Sequence, residues 1–150
     1  MNDYEFTMSL RIRHPDMDPD LITRTLGLQP QHSWRAGEER KSSAGDVLNG
    51  TYRESYWVCG LMPQPKLSTG QVGVESELQH ALSTLRRSFD FLQSLQESGG
   101  TTEVYINIFA REEFRIDLLA EVSAVLGRLG ITMAIEVKPH STSAPMAPLS

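Results

Sequence analysis

Two adjacent residues, Trp34 and Arg35, are the strongest candidates for recognition chemistry in this chain. They lie in a stretch that runs from Gly27 to Gly37 and also holds His32. A tryptophan buries a large area, and an arginine can hold a carboxylate or phosphate through two parallel hydrogen bonds. Beside a glycine, such a pair could form a small anion pocket. In the structural alternative, Trp34 fixes a long loop to the core and Arg35 pairs with a surface acid.

A second candidate surface is the outward face of a predicted sheet. If the strands lie side by side, this face would carry two arginines and three aromatic rings: Arg11, Arg13, Trp57, Tyr105 and Phe109. Arginines and aromatic rings on a four-stranded sheet are typical of RNA-binding platforms. The net charge of −5 and the spacing of the 105–109 segment argue against nucleic acid. A long helix or a second subunit covering the rings is the alternative, because exposed aromatic patches usually mark interfaces.

Three alternating acids after the first strand resemble a calcium loop, but the match fails. Asp16, Asp18 and Asp20 would need a glycine at the sixth position and a glutamate at the twelfth. Counting from Asp16, those positions hold Leu21 and Gly27. Capping of a helix explains the acids.

The remaining reactive residue types also lack a catalytic or metal-binding arrangement. The histidines, at positions 14, 32, 80 and 140, have no metal-ligand spacing, and the single cysteine, Cys59, lies within a predicted strand. No serine lies in a Gly-x-Ser-x-Gly elbow, and no phosphate-binding loop is present. We therefore expect no metal, no cofactor and no catalytic residue, with Cys59 as a small buried thiol.

Length and composition favour one ordinary globular domain. The chain has 150 residues, 39% of them hydrophobic and 22% charged. We expect a single domain over residues 1–138 and a disordered tail over 139–150, which is rich in Ser, Pro and Ala. A lone cysteine, no signal-peptide pattern at the start and no run of eighteen apolar residues favour a cytoplasmic protein that does not enter a membrane.

Hydrophobic periodicity predicts four strands and three helices. Residues 19–26 form a helix that Asp18 caps and Gly27 ends, while residues 28–50 are a long loop that is functional, mobile or hiding a short strand. The other predicted elements are strands at 6–13, 52–60, 104–109 and 131–138, and helices at 74–98 and 114–129.

The two ends of the chain repeat one plan. In each, a strand and an acidic turn precede a helix, which ends as Thr25-Leu26-Gly27-Leu28 in the first case and as Arg128-Leu129-Gly130-Ile131 in the second. Two strand–helix–strand halves predict a ferredoxin-like α+β sandwich with an added long helix between the halves. A parallel α/β sheet is the alternative.

A family resemblance supports this view of one compact domain. Gly27-Leu28-Gln29-Pro30, Ser33-Trp34-Arg35-Ala36-Gly37 and Tyr56-Trp57, after an Arg-Ile-Arg-His-Pro strand end, resemble a bacterial family known as domain of unknown function 4279. The resemblance covers roughly residues 4–138. It implies an uncharacterised bacterial single-domain protein and supplies no catalytic residues.

Three functional expectations follow. The first is a non-catalytic module that binds a protein partner, as an immunity or accessory protein would. The second is a sensor or weak enzyme for a small anionic ligand, using Trp34, Arg35 and His32. The third is self-association through the strand at 131–137, whose edge has few guarding residues.

Overall fold

A computed structural model describes residues 4–62, the backbone of 67–68, and residues 73–139. The strands are β1 (Glu5–His14), β2 (His32–Trp34), β3 (Glu39–Lys41), β4 (Val47–Thr51), β5 (Ser55–Gly60), β6 (Leu67–Ser68), β7 (Thr101–Ala110) and β8 (Ile131–Pro139). The helices are α1 (Pro19–Leu26), α2 (Val74–Leu85), α3 (Phe89–Glu97) and α4 (Ala120–Leu129), with a 3-10 turn at Arg86–Ser88 between α2 and α3.

The main sheet is mixed and has the strand order β2–β5–β1–β7–β8. β1 is antiparallel to β5 and to β7, whereas β7 and β8 are parallel. β6 extends the β5 side of the sheet by pairing with Glu5 and Phe6. β3 and β4 form a separate hairpin.

One face of this sheet forms the core. Alternate residues of β1, namely Phe6, Met8, Leu10 and Ile12, are almost fully buried, as period-two patterning requires. They join a single cluster with the even-numbered residues of β7 and the apolar stripes of all four helices. The intervening residues of β1 point to the opposite, outer face and are partly exposed.

Both ends of the first predicted helix and the C-terminal end of the last one are confirmed. The Asp18 carboxylate accepts a hydrogen bond from the backbone N–H of Asp20, and Pro19 occupies the first helical turn. Gly27 and Gly130 each end a helix with φ of 70°, a left-handed conformation that a side chain disfavours.

The predicted long helix at 74–98 is wrong in one respect. A 3-10 turn at Arg86–Ser88 divides it into α2 and α3. Because a 3-10 turn has three residues per turn instead of 3.6, it changes the direction that later side chains face. Leu92 and Leu95 are buried after the turn, while Phe89 is only half-buried.

The helix predicted from residue 114 begins later, at Ala120. Phe114 and Ile116 are half-buried, but they pack from an irregular segment. The Phe114 ring lies 4.9 Å from the ring of Tyr4, and the Glu75 carboxylate accepts a hydrogen bond from the backbone N–H of Asp117. These tertiary contacts hold the segment outside the helix, although its apolar spacing is helical.

The region at 28–50 contains β2 and β3 and most of β4, so the option of a hidden strand is confirmed. The strand predicted from Tyr52 starts at Ser55. The tail predicted at 139–150 lies outside the described residues, apart from Pro139, which ends β8.

The α+β class is confirmed, but the ferredoxin-like arrangement is not. In that arrangement, the strand–helix–strand units are split, with another strand between the two members. Here β7 and β8 are direct neighbours across α4, which is an unsplit parallel unit. β1 and β5 are also direct neighbours, but antiparallel, because the chain between α1 and β5 reverses through β2, β3 and β4. The parallel alternative therefore describes only the β7–α4–β8 part.

Candidate functional site

A stack of aromatic rings lies on the outer face at the β2 end of the sheet. Trp34 pairs with Tyr56 across β2 and β5, and the two ring centroids are 4.7 Å apart. The Tyr52 ring is stacked against Trp34 at 4.3 Å with an interplanar angle of 12°. Such offset stacking adds about 0.5–1.5 kcal/mol per pair beyond the buried area. The stack therefore forms a firm, partly exposed aromatic surface.

A hollow of about 760 Å³ lies over this stack. It is lined by the three stacked rings of Trp34, Tyr52 and Tyr56 and, on the side of the β3–β4 hairpin, by Glu38 and Glu39. Two backbone hydrogen bonds, Gly37 N–H to Tyr52 C=O and Tyr52 N–H to Glu38 C=O, hold that side in place. The hollow is thus built on paired backbone rather than on an unsupported loop.

A second hollow, of about 500 Å³, continues across β1 to β7. It is lined by polar groups that include Ser9, Arg11, Tyr105 and Asn107. The two hollows share three lining residues: Gln31, His32 and Tyr56. We call the joined surface the outer groove, and it runs from the β3–β4 hairpin to the middle of β7.

Arg11 lies at the centre of the second hollow. Its guanidinium carbon lies 3.6 Å from the centroid of the Tyr105 ring, a cation–π contact. Its nearest acid, Glu103, is 3.7 Å away, which is longer than a normal hydrogen bond. The Arg11 Nε is buried and has no hydrogen-bond partner among the described residues. An unpartnered buried donor costs about 1–3 kcal/mol, a cost that the fold carries at this position.

Tyr105 is fixed by neighbours on two strands. Its hydroxyl donates to the carboxylate of Glu136 on β8, and the hydroxyl oxygen lies 2.8 Å from the Asn107 side-chain oxygen. The hydrogen bond to Glu136, together with burial and the negative charge of Glu136, raises the pKa of the Tyr105 hydroxyl, and Arg11 partly opposes this. Tyr105 is therefore a neutral, oriented platform for the Arg11 guanidinium at physiological pH.

Arg13 extends the aromatic surface towards solvent. Its guanidinium carbon lies 5.2 Å from the Tyr56 ring centroid, and its Nε lies 3.5 Å from the Glu54 carboxylate. Both side chains of the ion pair are about half-exposed. The predicted outer-face arginines, Arg11 and Arg13, thus contact two different rings of the groove.

Two predicted site residues lie elsewhere. Trp57 pairs with Ile12 on the core face, is fully buried and donates a hydrogen bond from its indole N–H to the Thr23 hydroxyl at 2.9 Å. Arg35 points away from Trp34 and forms an ion pair with Asp18 at 3.7 Å, as its structural alternative predicts. The position of Trp57 follows from strand alternation, which places it on the face opposite Tyr56. Arg35 follows the last residue of β2, and its ion pair brings it to the start of α1.

The other predicted residues lie on the outer face. His32 and Trp34 both line the groove, so the loop candidate and the sheet candidate meet on one surface. Phe109 shares the outer face with Tyr105 but lies four residues further along β7, beyond the residues that line the groove. Two of the three predicted face rings, Tyr105 and Phe109, are therefore on the same side.

Sequence reasoning missed Gln31, Tyr52 and Tyr56 as groove residues. Tyr56 occupies the place predicted for Trp57, because the pairing of β1 with β5 puts Arg11 opposite Val58 and Arg13 opposite Tyr56. The alternation of Tyr56 and Trp57 was a signal that one ring faces out and one faces in. The sequence alone does not say which.

Cys59 is buried on the core face, as expected, and its burial raises the pKa of the thiol to about 12. Within the described residues, no three His, Cys, Asp or Glu side chains are close enough together to hold a metal ion. In that same part of the chain, no helix has both the length and the apolar character to span a membrane.

Comparison with known proteins gives one match. No curated protein and no solved structure is detectably similar to the chain. A family profile described as "Domain of unknown function (DUF4279)" matches residues 4–140, which confirms the resemblance seen in the sequence. The chain belongs to this DUF4279 family.

Proposed function

We propose that this protein is a binding module that holds a segment of a protein partner in the outer groove. The observation that carries the proposal is that two hollows, of about 760 and 500 Å³, lie side by side across β2, β5, β1 and β7 and share three lining residues. An extended polypeptide segment can contact lining residues of both hollows at once.

The residue types in the groove support recognition of a protein. Aromatic side chains and arginines dominate the binding energy of protein interfaces, because they bury much area with few rotatable bonds. Trp34, Tyr52 and Tyr56 are already stacked together, so little side-chain entropy remains to be lost on binding. The Arg11 guanidinium, stacked on Tyr105, adds a directional donor at the far end.

Site-specific photo-crosslinking tests this function. A photoreactive benzoylphenylalanine in place of Gln31, which is exposed and lines both hollows, would report on the groove. The same group in place of Gln93, exposed on α3, is the matched control on the helical side. We expect a discrete adduct from the Gln31 position and none from the Gln93 position. Adding an excess of the purified protein without the photoreactive group should reduce the yield of this adduct. Identical adducts from both positions, or none, would count against the proposal.

A small carboxylate ligand is the second candidate, and Arg11 is the observation that favours it. Its side chain is 29% exposed, and Glu103 lies 3.7 Å away, beyond hydrogen-bond distance. A carboxylate could accept two hydrogen bonds from such a guanidinium. A thermal-shift screen of amino acids and organic acids tests this, since a ligand at one hundred times its dissociation constant stabilises by about 2.7 kcal/mol. Arg11→Gln should abolish any shift, and an Arg35→Gln control should not.

A further inference from the structure

The outer edge of β8 is the second exposed recognition feature of the fold. β8 is the last strand in the order β2–β5–β1–β7–β8, and no strand pairs with its outer side within the part of the chain that the structure describes. It has nine residues and a length of roughly 30 Å at about 3.3 Å per residue. A long strand edge with unpaired backbone groups is a template for another strand.

Exposed aliphatic side chains lie beside this edge on the helical side of the sheet. Ile135 is 41% exposed and Val137 is 55% exposed. Both lie on the helical side because they alternate with the β8 residues that face the outer side. Leu118 and Leu119, just before α4, are also exposed, and together with Ile135 they line a small apolar cleft between α2 and β8. We call these four side chains the edge patch. Exposed apolar side chains grouped in this way are typical of an interface.

We propose that β8 pairs antiparallel with β8 of a second copy of this chain, centred on Ile135, to form a continuous sheet across a two-fold axis. This proposal concerns a surface separate from the outer groove and does not rest on the proposed function. In an isologous dimer, the same surface serves both partners, so β8 must be complementary to itself.

The side-chain pattern of β8 selects the register. Directly opposed residues in an antiparallel pair share one face of the sheet. Pairing centred on Ile135 uses all nine residues and places Met133 opposite the second copy's Val137, so that apolar residues meet on the helical side. On the outer side, Ala134 meets Glu136 and Thr132 meets Lys138, and no like charges are directly opposed.

Other registers are poorer in paired length, charge or facing, and a centre on Ala134, the nearest alternative, pairs seven positions instead of nine. A shift to a centre on Glu136 opposes two carboxylates directly, which is destabilising. A centre on Val137 leaves only five paired positions within β8. A shift that places odd-numbered residues opposite even-numbered ones turns one copy's apolar face towards the other's polar face. The Ile135 register also puts both helical layers on the same side, so the two edge patches come together.

The oligomeric state and one matched pair of variants test the dimer. We expect a wild-type dimer by native mass spectrometry and by sedimentation across a concentration series. Val137→Lys should raise the dimer dissociation constant at least tenfold, because it places a charge in the edge patch of both copies. Val47→Lys is the control, since Val47 is 61% exposed on the β3–β4 hairpin and should leave the dimer unchanged.

Cysteine cross-linking tests the register. In the proposed pairing, the Cα atoms of the two Ile135 residues lie about 4.5–5.5 Å apart, which a disulfide can bridge. Ile135→Cys should therefore give a covalent dimer under mild oxidation, and Val137→Cys should not. Cys59 is buried and does not compete. A wild-type chain that stays monomeric, equal effects of the two lysine variants, or cross-linking through Val137→Cys in place of Ile135→Cys would overturn the proposal.

Discussion

Trp34 and Tyr56 stack across β2 and β5 with their ring centroids 4.7 Å apart. This contact joins the loop after α1 to the outer face of the central sheet. The two surfaces that the sequence suggests separately, one around Trp34 and one around Arg11 and Tyr105, are consequently parts of one groove.

The two tryptophans should differ sharply in their effect on stability. Trp57 is fully buried and hydrogen-bonded to Thr23, so Trp57→Ala should lower the free energy of unfolding by about 3–5 kcal/mol. Trp34 is half-buried, and its replacement mainly removes ring stacking. Trp34→Ala should therefore lower the free energy of unfolding by only about 1–2 kcal/mol. Urea denaturation followed by circular dichroism measures both. Equal losses would contradict the placement of the two rings on opposite faces.

A pair of glycine variants tests the packing between α3 and β1. At Gly100, an added Cβ would lie 2.8 Å from the Leu95 carbonyl oxygen and 2.9 Å from His14 Cδ2. Gly100→Ala should therefore destabilise the protein by about 1–3 kcal/mol. Gly127 lies in α4 with nothing within 4 Å of the added atom, so Gly127→Ala should stabilise by about 0.5–1 kcal/mol. Thermal unfolding of the two variants should show opposite shifts in Tm.

His14 should act as a structural hydrogen-bonding centre. It is buried, and its Nδ1 accepts from the backbone N–H groups of Asp16 and Met17 at 3.1 and 3.0 Å. Its Nε2 therefore carries the proton and donates to the Ser98 hydroxyl at 2.7 Å. His14→Ala leaves these groups without partners and should cost about 2–4 kcal/mol. His14→Asn keeps a nearby acceptor and should recover part of the loss in chemical denaturation.

Cys59 should make stability fall at high pH. Burial raises the pKa of its thiol from 9.0 to about 12. The folded state holds this proton to higher pH than the unfolded state, so the contribution is present below pH 9 and is lost as the pH rises towards 12. The slope from this one group is about 1.4 kcal/mol per pH unit. Cys59→Ala should flatten the measured free energy of unfolding over that range, and an unchanged slope would contradict the burial of the thiol.

Much of the fold could be predicted because its signals are local. The alternation of Phe6, Met8, Leu10 and Ile12 indicates β1, and Asp18 with Pro19 indicates the start of α1. Strand order is not set by local sequence, since it depends on which strands become neighbours after the chain has folded back on itself. The sequence offers no signal that β5 lies antiparallel beside β1, and the echo between the chain ends misled the prediction for that reason.

The candidate site could be predicted only in part, for a related reason. Alternation along the strand shows that Tyr56 and Trp57 face opposite sides of the sheet. Which of the two rings is buried depends on the register between β5 and β1. Likewise, sequence adjacency suggests that Arg35 acts together with Trp34, but β2 ends at Trp34 and Arg35 pairs with Asp18 instead. Arg11 and Arg13 supply the groove's guanidinium groups instead.

The central claim is that the outer groove binds a protein segment through its aromatic stack. Isothermal titration calorimetry tests it most directly, with the partner identified by cross-linking from position 31 as the titrant. The test variant is Trp34→Ala. The control is Arg87→Ala, because Arg87 is exposed in the turn between α2 and α3. We predict that Trp34→Ala weakens binding at least thirtyfold, which is about 2 kcal/mol at an aromatic hot spot, and that Arg87→Ala leaves the dissociation constant unchanged. Equal affinity of Trp34→Ala and wild type would contradict the account.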